Sequence, residues 1–265
     1  LLRLVYNKAL KNGDIPGDWK IGKVSMLYKK GDKADTGNYR GLTLLNTTMK
    51  VFERILLERL ARFSEQHSLI HDNQNGFREG RSTVGHVIAL QQAIGHCQEA
   101  LTVFVDVRKA YPAVYRPGLF ARLAQKGIEG PILSTLQNMY QGITSKVTVG
   151  EAESIEYPVE NGLMEGALLS PWLYTMFIDG LICKLQKAGL GVCIGKKWLG
   201  ALYYADDLVL TAPTQHDMQK MLRVLDDHSR QWKFQVSAPK TNVLRFSAKK
   251  VDERNKGVVS DGNVV

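Results

Sequence analysis

Apolar residues recur along the chain at two different spacings, which together predict a mixture of helices and strands. Between residues 49 and 63 the spacing is helical, and the expected apolar face consists of Phe52, Ile55, Leu56, Leu60 and Phe63. We expect Glu53 to lie largely off this face, and Thr47 or Thr48 to cap the helix. Similar spacing predicts further helices near residues 82–98, 118–126, 131–141, 170–187 and 215–231.

Short runs of β-branched and aromatic residues predict the strands. These runs cover residues 23–28, 102–105, 146–149, 154–157, 234–236 and 243–246. Around Tyr204-Ala205-Asp206-Asp207, an apolar run stands on either side of two adjacent carboxylates. This arrangement predicts a hairpin with an exposed turn. Since a hairpin makes part of its sheet antiparallel, the element order predicts an α+β fold with helices on one face of an antiparallel sheet.

The carboxylates of Asp206 and Asp207 indicate a cation site. A buried and unpaired carboxylate costs several kcal/mol, so a hairpin turn that binds a cation explains their position best. Asp106 ends the strand predicted over residues 102–105, and neighbouring strands lie about 4.8 Å apart. Asp106 and Asp206 can therefore share one cluster, which suits a pair of Mg²⁺ ions for phosphoryl transfer. An alternative also stays open, namely that each Asp is an ordinary strand-end or turn residue.

The net charge of the chain is +9, and much of it lies near the beginning. Residues 1–60 hold 12 Lys or Arg against 6 Asp or Glu, which favours a polyanionic partner such as nucleic acid. A basic surface that serves solubility explains the charge equally well. No apolar run approaches the roughly 18 residues of a membrane span. The three cysteines lack C-x-x-C spacing and predict free thiols in a reducing compartment.

Six motifs in order make the chain resemble the reverse transcriptase domain of non-LTR (LINE-like) retrotransposons over about residues 15–247. They lie at residues 27–32 with 38–45, 74–83, 104–111, 162–171, 204–207, and 240–241 with 243–246. Each motif is weak alone, but their order and spacing together are specific. The resemblance implies a right-hand polymerase with fingers and palm, in which helices back an antiparallel palm sheet and the thumb is absent.

The resemblance also implies a division of the chain into subdomains. Residues 1–100 would form the fingers, 101–127 the first part of the palm, and 128–158 a further fingers segment or insert. Residues 159–248 would complete the palm, and residues 249–265 would form a polar tail.

Catalytic roles follow from the same resemblance. Asp106 and Asp206 would bind both metal ions, with the backbone carbonyl of Val107 as a further ligand. Asp207 would stand beside them in a less critical role. Lys240 would act as the general acid for the leaving pyrophosphate, a role that a flexible ammonium suits.

The resemblance assigns the binding of the incoming nucleotide to other residues. Tyr111 would be the steric gate that excludes a ribose 2′-OH. The triphosphate would meet the backbone amides of Lys109 and Ala110, and the side chains of Arg40 and Lys29. Gly166 and the Ser170-Pro171 turn would shape the pocket below the templating base pair.

Two residues depart from the family pattern. Pro112 stands where Asp is usual after the gate, and Glu165 stands where Gln usually precedes Gly166. A carboxylate near a triphosphate is unfavourable, so Glu165 is expected to lower dNTP affinity or to change the metal preference. A catalytically weakened or inactive nucleic-acid-binding protein derived from a retroelement is therefore a second hypothesis. A group II intron or telomerase-like polymerase is a third, and the motif at residues 74–83 argues against it.

The function implied is RNA-directed DNA synthesis, in which a primer 3′-OH attacks a dNTP with two Mg²⁺ ions, or with Mn²⁺ as a substitute. The implied partners are an RNA template, a DNA primer, dNTPs and the other domains of a parent polyprotein, namely a thumb and an endonuclease. No membrane partner is expected. By family, the protein would lie inside the cell, in the nucleus and cytoplasm, as a ribonucleoprotein.

Overall fold

The computed structural model describes residues 1–247 of the chain, so the predicted polar tail lies outside the described residues. The helices are α1 (Leu2–Asn12), α2 (Thr47–Gln66), α3 (Thr83–His96), α4 (Arg116–Gln125), α5 (Gly130–Met139), α6 (Ser170–Lys187) and α7 (Gln215–Trp232). The strands are β1 (Ile21–Tyr28), β2 (Tyr39–Leu44), β3 (Glu99–Asp106), β4 (Thr144–Val149), β5 (Ala152–Glu153), β6 (Tyr157–Pro158), β7 (Cys193–Ile194), β8 (Lys197–Trp198), β9 (Ala201–Tyr204), β10 (Asp207–Ala212) and β11 (Asn242–Ser247). In this part of the chain no helix is both long and apolar enough to cross a membrane.

The chain folds into two compact units. The first unit comprises residues 1–69 and 111–174, and the second comprises residues 70–110 and the described residues from 175 onward. Each unit therefore contains two separate stretches of chain. The boundaries predicted for fingers and palm stay predictions.

The first unit is built on a mixed sheet with the order β2-β1-β4-β5, in which β6 also pairs with β4. β1 pairs antiparallel with β2 but parallel with β4, which lies more than 100 residues further along the chain. Beside this sheet, the rings of Tyr6, Trp19 and Phe52 cluster with centroids 5.3–5.8 Å apart. This aromatic cluster joins α1 and the segment before β1 to α2.

Helix α2 differs from its predicted form at its start and on its buried face. The side chain of Asn46 accepts a hydrogen bond from the Thr48 N–H, so Asn46 is the cap and the prediction of Thr47 or Thr48 is wrong. Glu53 is fully buried, whereas Ile55 is 38% exposed. The prediction that Glu53 lies largely off the apolar face is also wrong, because positions 53, 56 and 60 share one side of a helix.

The second unit is built on a four-stranded sheet with the order β11-β3-β10-β9. Every neighbouring pair in this sheet is antiparallel, which confirms the predicted antiparallel sheet. The strand predicted over residues 234–236 is wrong, since the structure has only an isolated bridge between Val107 and Val236 there. Helix α7 buries Met218, Met221 and Leu225 and contacts β10, so helices back the sheet as predicted.

Candidate active site

The predicted hairpin is formed by β9 and β10, and a two-residue turn of Ala205 and Asp206 joins the strands. Tyr204 pairs with Asp207 at the end of the ladder. Ala205 has φ +60°, a left-handed conformation that a tight hairpin turn requires and that glycine adopts most easily. The sharp reversal therefore depends on an alanine in an unfavourable backbone conformation.

The loop before α3 holds this turn in place. The N–H of Asn75 donates to the carbonyl oxygen of Tyr203 at 3.0 Å, and the N–H of Tyr203 donates to the carbonyl of Asn73 at 2.8 Å. A Cβ on Gly76 would lie 2.1 Å from the backbone nitrogen of Ala205. The motif at residues 74–83, for which the sequence pattern indicated no structural role, thus supports the turn that carries Asp206.

Strand pairing brings the acidic residues of the two motifs together. Asp207 lies directly opposite Asp106 in the register of β10 and β3, and Asp206 lies in the adjoining turn. Burial raises the pKa of Asp207 most, and the negative charges of Asp206 and Asp106 raise it further. The three carboxylates therefore repel one another, and a bound cation would relieve that repulsion.

Lys240 lies beside this group of carboxylates. Its Nζ is 3.5 Å from Oδ2 of Asp106. The backbone on either side of Val107 is tied to the segment before Lys240, because the Asp106 carbonyl accepts from the Ser237 N–H and the Arg108 N–H donates to the Gln235 carbonyl, each at 2.8 Å. This pattern leaves the Val107 carbonyl out of the hydrogen bonds of the bridge.

The chemistry of these groups fits a hard divalent cation. Carboxylate and carbonyl oxygens are the ligands that Mg²⁺ prefers, and Asp106, Val107, Asp206 and Asp207 supply them. Within residues 1–247, however, no group of three or more His, Cys, Asp or Glu side chains is arranged to hold a metal ion. The oxygen atoms that could bind the ion are thus present, but their side chains are not gathered around one point. The assignment of individual residues as metal ligands stays a prediction.

In the first unit, the predicted gate residue Tyr111 is held by stacking and by its backbone. Its ring stacks on Tyr174, with centroids 5.4 Å apart and an interplanar angle of 28°. Its carbonyl accepts a hydrogen bond from the Leu163 N–H at 2.8 Å. Gly162 has φ +79°, and a Cβ there would lie 2.6 Å from Cα of Pro112. Pro112 therefore sits in a close backbone contact that fixes the loop after the gate.

Arg40, Glu165 and Gly166 come together in the first unit. The Nε of Arg40 lies 3.9 Å from Oε2 of Glu165. Gly166 has φ +97°, and a Cβ at this position would lie 2.4 Å from the carbonyl oxygen of Thr43 in β2. The carboxylate at position 165 is thus within ion-pair distance of the cation predicted to bind the triphosphate.

The remaining predicted nucleotide contacts are spread along the chain. Lys29 follows β1 in an exposed turn, where its N–H donates to the Asn38 carbonyl at 2.9 Å. Lys109 is exposed with φ +48°, and Ala110 is buried. Lys109 and Ala110 belong to the second unit, whereas Lys29, Arg40, Tyr111, Glu165 and Gly166 belong to the first.

Sequence reasoning missed Arg116, a buried cation in the first unit. Its guanidinium donates to the carbonyls of Gly162 at 2.8 Å, Tyr140 at 3.1 Å and Asn161 at 3.2 Å. Burial lowers the pKa of this group. Arg116 therefore anchors the chain just before the motif at residues 162–171. An arginine directly before a proline at a helix start was its only sequence signal.

Comparisons with known proteins agree with this geometry. Residues 28–255 match the family model described as "Reverse transcriptase (RNA-dependent DNA polymerase)". The chain is 28% identical over 94% of its length to the "Probable RNA-directed DNA polymerase from transposon BS" of Drosophila melanogaster. It is 27% identical over 76% of its length to the "Retrovirus-related Pol polyprotein from type-1 retrotransposable element R2" of Popillia japonica. The chain spans 28% and 29% of these two relatives.

Solved structures with the same fold include two telomerases. The chain matches Candida albicans telomerase with a TM-score of 0.60 and 12% identity, over 89% of this chain and 44% of the other. It matches apo telomerase from Candida tropicalis with a TM-score of 0.61 and 12% identity, over 89% of this chain and 52% of the other. At this identity the likeness concerns the fold, and it confirms the predicted α+β right-hand polymerase.

Proposed function

Because the chain belongs to the reverse transcriptase (RNA-dependent DNA polymerase) family, we propose that it carries the RNA-directed DNA polymerase activity of a retrotransposon protein. In this reaction a primer 3′-OH attacks the α-phosphate of a dNTP, and pyrophosphate leaves. The observation that carries the proposal is the pairing of Asp207 with Asp106, with Asp206 in the adjoining turn. That arrangement supports the proposal, because a nucleotidyl transfer site needs acidic oxygens close together.

The carboxylates of Asp106, Asp206 and Asp207, together with the Val107 carbonyl, would hold two Mg²⁺ ions, or Mn²⁺ in their place. Bound ions of this kind activate the attacking hydroxyl and neutralise the charge of the leaving pyrophosphate. Burial raises the pKa of Asp207 most, and the charges of Asp206 and Asp106 raise it further. A bound cation would offset that repulsion between the carboxylates, which supports this role. The strained turn at Ala205 sets the position of Asp206 relative to Asp207.

Lys240 would supply the proton for the leaving pyrophosphate. Its ammonium lies 3.5 Å from Asp106, so the donor already stands beside a predicted metal ligand. A lysine on an exposed 3-10 turn is able to move between this ion pair and a leaving group. General acid catalysis of this kind contributes about 10²- to 10⁴-fold.

Binding of the nucleotide would rest mainly on the first unit. The ring of Tyr111, held on Tyr174, would exclude a ribose 2′-OH and so favour dNTPs over NTPs. The side chains of Arg40 and Lys29 would bind the triphosphate, as would the amides of Lys109 and Ala110. Glu165 would compete with the triphosphate for Arg40, because it is already paired with that side chain.

The partners proposed are an RNA template and a DNA primer, attracted by the net charge of +9. Such binding rests on phosphate contacts and weakens as the salt concentration rises. We further propose that the activity works together with a thumb and an endonuclease of the same polyprotein. The ribonucleoprotein would act in the nucleus and cytoplasm.

Primer extension on an RNA template tests this function directly. The full-length protein is assayed with Mg²⁺ or Mn²⁺ as wild type, Asp206→Ala and Asp106→Asn. Asp227→Asn, an exposed acid on α7, is the matched control. We expect each site variant to lose about a hundredfold or more of the activity and the control to keep it. Should wild type and Asp206→Ala be equally inert while both bind template–primer, a binding-only role would replace the polymerase role.

A further inference from the structure

Glu53 is a buried acid that the proposed chemistry does not use. It lies on α2 in the first unit, and its side chain has no exposed surface. A buried carboxylate costs free energy unless hydrogen bonds or charges compensate. Its presence on a helix face made mostly of apolar residues therefore calls for a specific partner.

That partner is the backbone before α6. Oε2 of Glu53 accepts a hydrogen bond from the Leu168 N–H at 2.9 Å, across 115 residues of sequence. The N–H groups of Leu168 and Leu169 both favour the ionised form. Oε1 is buried without a hydrogen-bond partner in the part of the chain that the structure describes. The carboxyl thus bonds an amide just before the start of a helix, a region where backbone N–H groups lack partners within the helix.

The segment that these amides belong to carries the predicted nucleotide pocket. Glu165 and Gly166 directly precede it, and Gly166 fits against the Thr43 carbonyl with no room for a side chain. On its other side, Ser170 Oγ donates to the Met164 carbonyl at 2.8 Å and lies 3.2 Å from the hydroxyl of Tyr140. Glu53 supplies a hydrogen-bond acceptor to the residues between Gly166 and Ser170, the two positions held by these contacts.

We propose that Glu53 is a positioning residue, whose carboxylate holds the amide of Leu168 and thereby fixes the neighbouring Gly166 in the geometry that binds the incoming dNTP. The hydrogen bond from Leu168 to Glu53, called the tether below, is seen in the structure. Its effect on dNTP binding rests on the proposed polymerase function. A role in packing alone would stabilise the whole first unit without a particular effect on this segment.

Two measurements on the full-length protein separate these roles. The first is amide hydrogen exchange in peptides that cover residues 164–174. The second is primer extension at varied dNTP concentration. The variants are Glu53→Met, which keeps the volume but removes the acceptor, and Glu53→Gln, which keeps one accepting oxygen. Glu58→Gln is the control, since Glu58 lies on the same helix and is exposed in an ion pair with Arg54.

For Glu53→Met we expect exchange at Leu168 to accelerate about tenfold or more. The KM for dNTP should rise about tenfold, with kcat within roughly twofold of wild type. Glu53→Gln should restore most of both properties, and Glu58→Gln should match wild type.

Three results would overturn the proposal. One is unchanged exchange at residues 164–174 in Glu53→Met. Another is faster exchange there with an unchanged KM, and the third is exchange that accelerates throughout the first unit. If Glu53→Met does not fold, Glu53→Leu, a second apolar replacement without an acceptor, decides, since an unchanged exchange rate and KM in that variant would contradict a tether through the carboxylate. If the wild type itself extends no primer, the polymerase function fails, while the exchange experiment still tests the tether.

Discussion

Gly76 packs against the backbone nitrogen of Ala205, so closely that any Cβ at position 76 would overlap it at 2.1 Å. Both residues belong to the second unit. Ala205 begins the turn that carries Asp206, and its φ of +60° is one that alanine adopts at a cost of about 1 kcal/mol or more. The fit of Gly76 and the strain of Ala205 therefore set the position of one carboxylate.

The first prediction concerns this contact. Gly76→Ala should push the Ala205 turn away and lower kcat for primer extension about a hundredfold, because a shift of about 1 Å at a reacting group has that effect. Gly95→Ala is the control, since Gly95 lies in α3 and a Cβ there would meet nothing within 4 Å. Steady-state kinetics of both variants make the comparison. Wild-type kcat in Gly76→Ala would show that the turn does not depend on this fit.

The second prediction concerns the pair of Arg40 and Glu165. Glu165→Gln removes a carboxylate that lies 3.9 Å from Arg40 and so makes Arg40 available to the triphosphate. We expect the KM for dNTP to fall about two- to fivefold, the range expected for a partly exposed ion pair, with little change in kcat. Glu160→Gln, an exposed residue of the same unit, should leave the KM unchanged. A higher KM in Glu165→Gln would mean that Glu165 contributes to nucleotide binding.

The third prediction separates the charge of Lys240 from its proton. Lys240→Ala loses the ion pair with Asp106, and Lys240→Arg keeps a cation that does not give up its proton. Both variants should therefore lose about a hundredfold in kcat, as pre-steady-state single-nucleotide incorporation would measure. Lys220→Ala, on the exposed face of α7, serves as the control. If Lys240→Arg retained wild-type kcat, Lys240 would act only as a charge partner of Asp106.

The fourth prediction concerns pH. Burial raises the pKa of Glu53 from 4.5 to about 7, against the opposing effects of the Leu168 and Leu169 amides and of Lys50. Tyr140, just after α5, also feels the charge of Glu53, which raises its pKa in addition to the larger effect of burial. Because the folded state binds the proton more tightly than the unfolded state, stability should fall as the pH rises from 4.5 to 7, by about 3 kcal/mol, and then level off.

Urea unfolding of wild type and Glu53→Gln at pH 5 and pH 8 measures this effect. The variant has no titratable group at position 53, so its free energy of unfolding should change less between the two pH values. Lys50 and Tyr140 are present in both proteins and cancel in the comparison. Equal changes in the two proteins would place the pKa of Glu53 near its ordinary value.

Sequence reasoning predicted best where a local signal decided the structure. Helix α6 begins and ends where the pattern places it, because Ser170-Pro171 is a strong start signal and a long apolar stretch follows. The strand predicted at residues 234–236 is wrong for a local reason. The Phe234 N–H closes the end of α7 on the Ser229 carbonyl, so this backbone completes a helix terminus and does not enter a ladder.

The register of strand pairing and the contacts between residues far apart in the chain could not be predicted from the sequence. The register of β10 against β3 sets Asp207 opposite Asp106, and a slip of one residue would place Asp206 there. Glu53 carries a charge, so it was assigned to the polar side, although its spacing to Leu56 and Leu60 placed it on the buried face. Its partner Leu168 is 115 residues away, a distance over which periodicity gives no information.

The order of strands in the second sheet affects how the protein is made. The two strands that pair with β3 are β10 and β11, and both follow it in the sequence. The nearer of them, β10, begins about 100 residues after β3 ends. During synthesis, Asp106 therefore leaves the ribosome long before any strand can pair with it. At roughly 5–20 residues per second, β11 follows on the order of ten seconds or more later. One edge of this apolar strand therefore stays unpaired until β10 is made, and the other until β11 is made. This stage is the one at which chaperone binding would prevent aggregation.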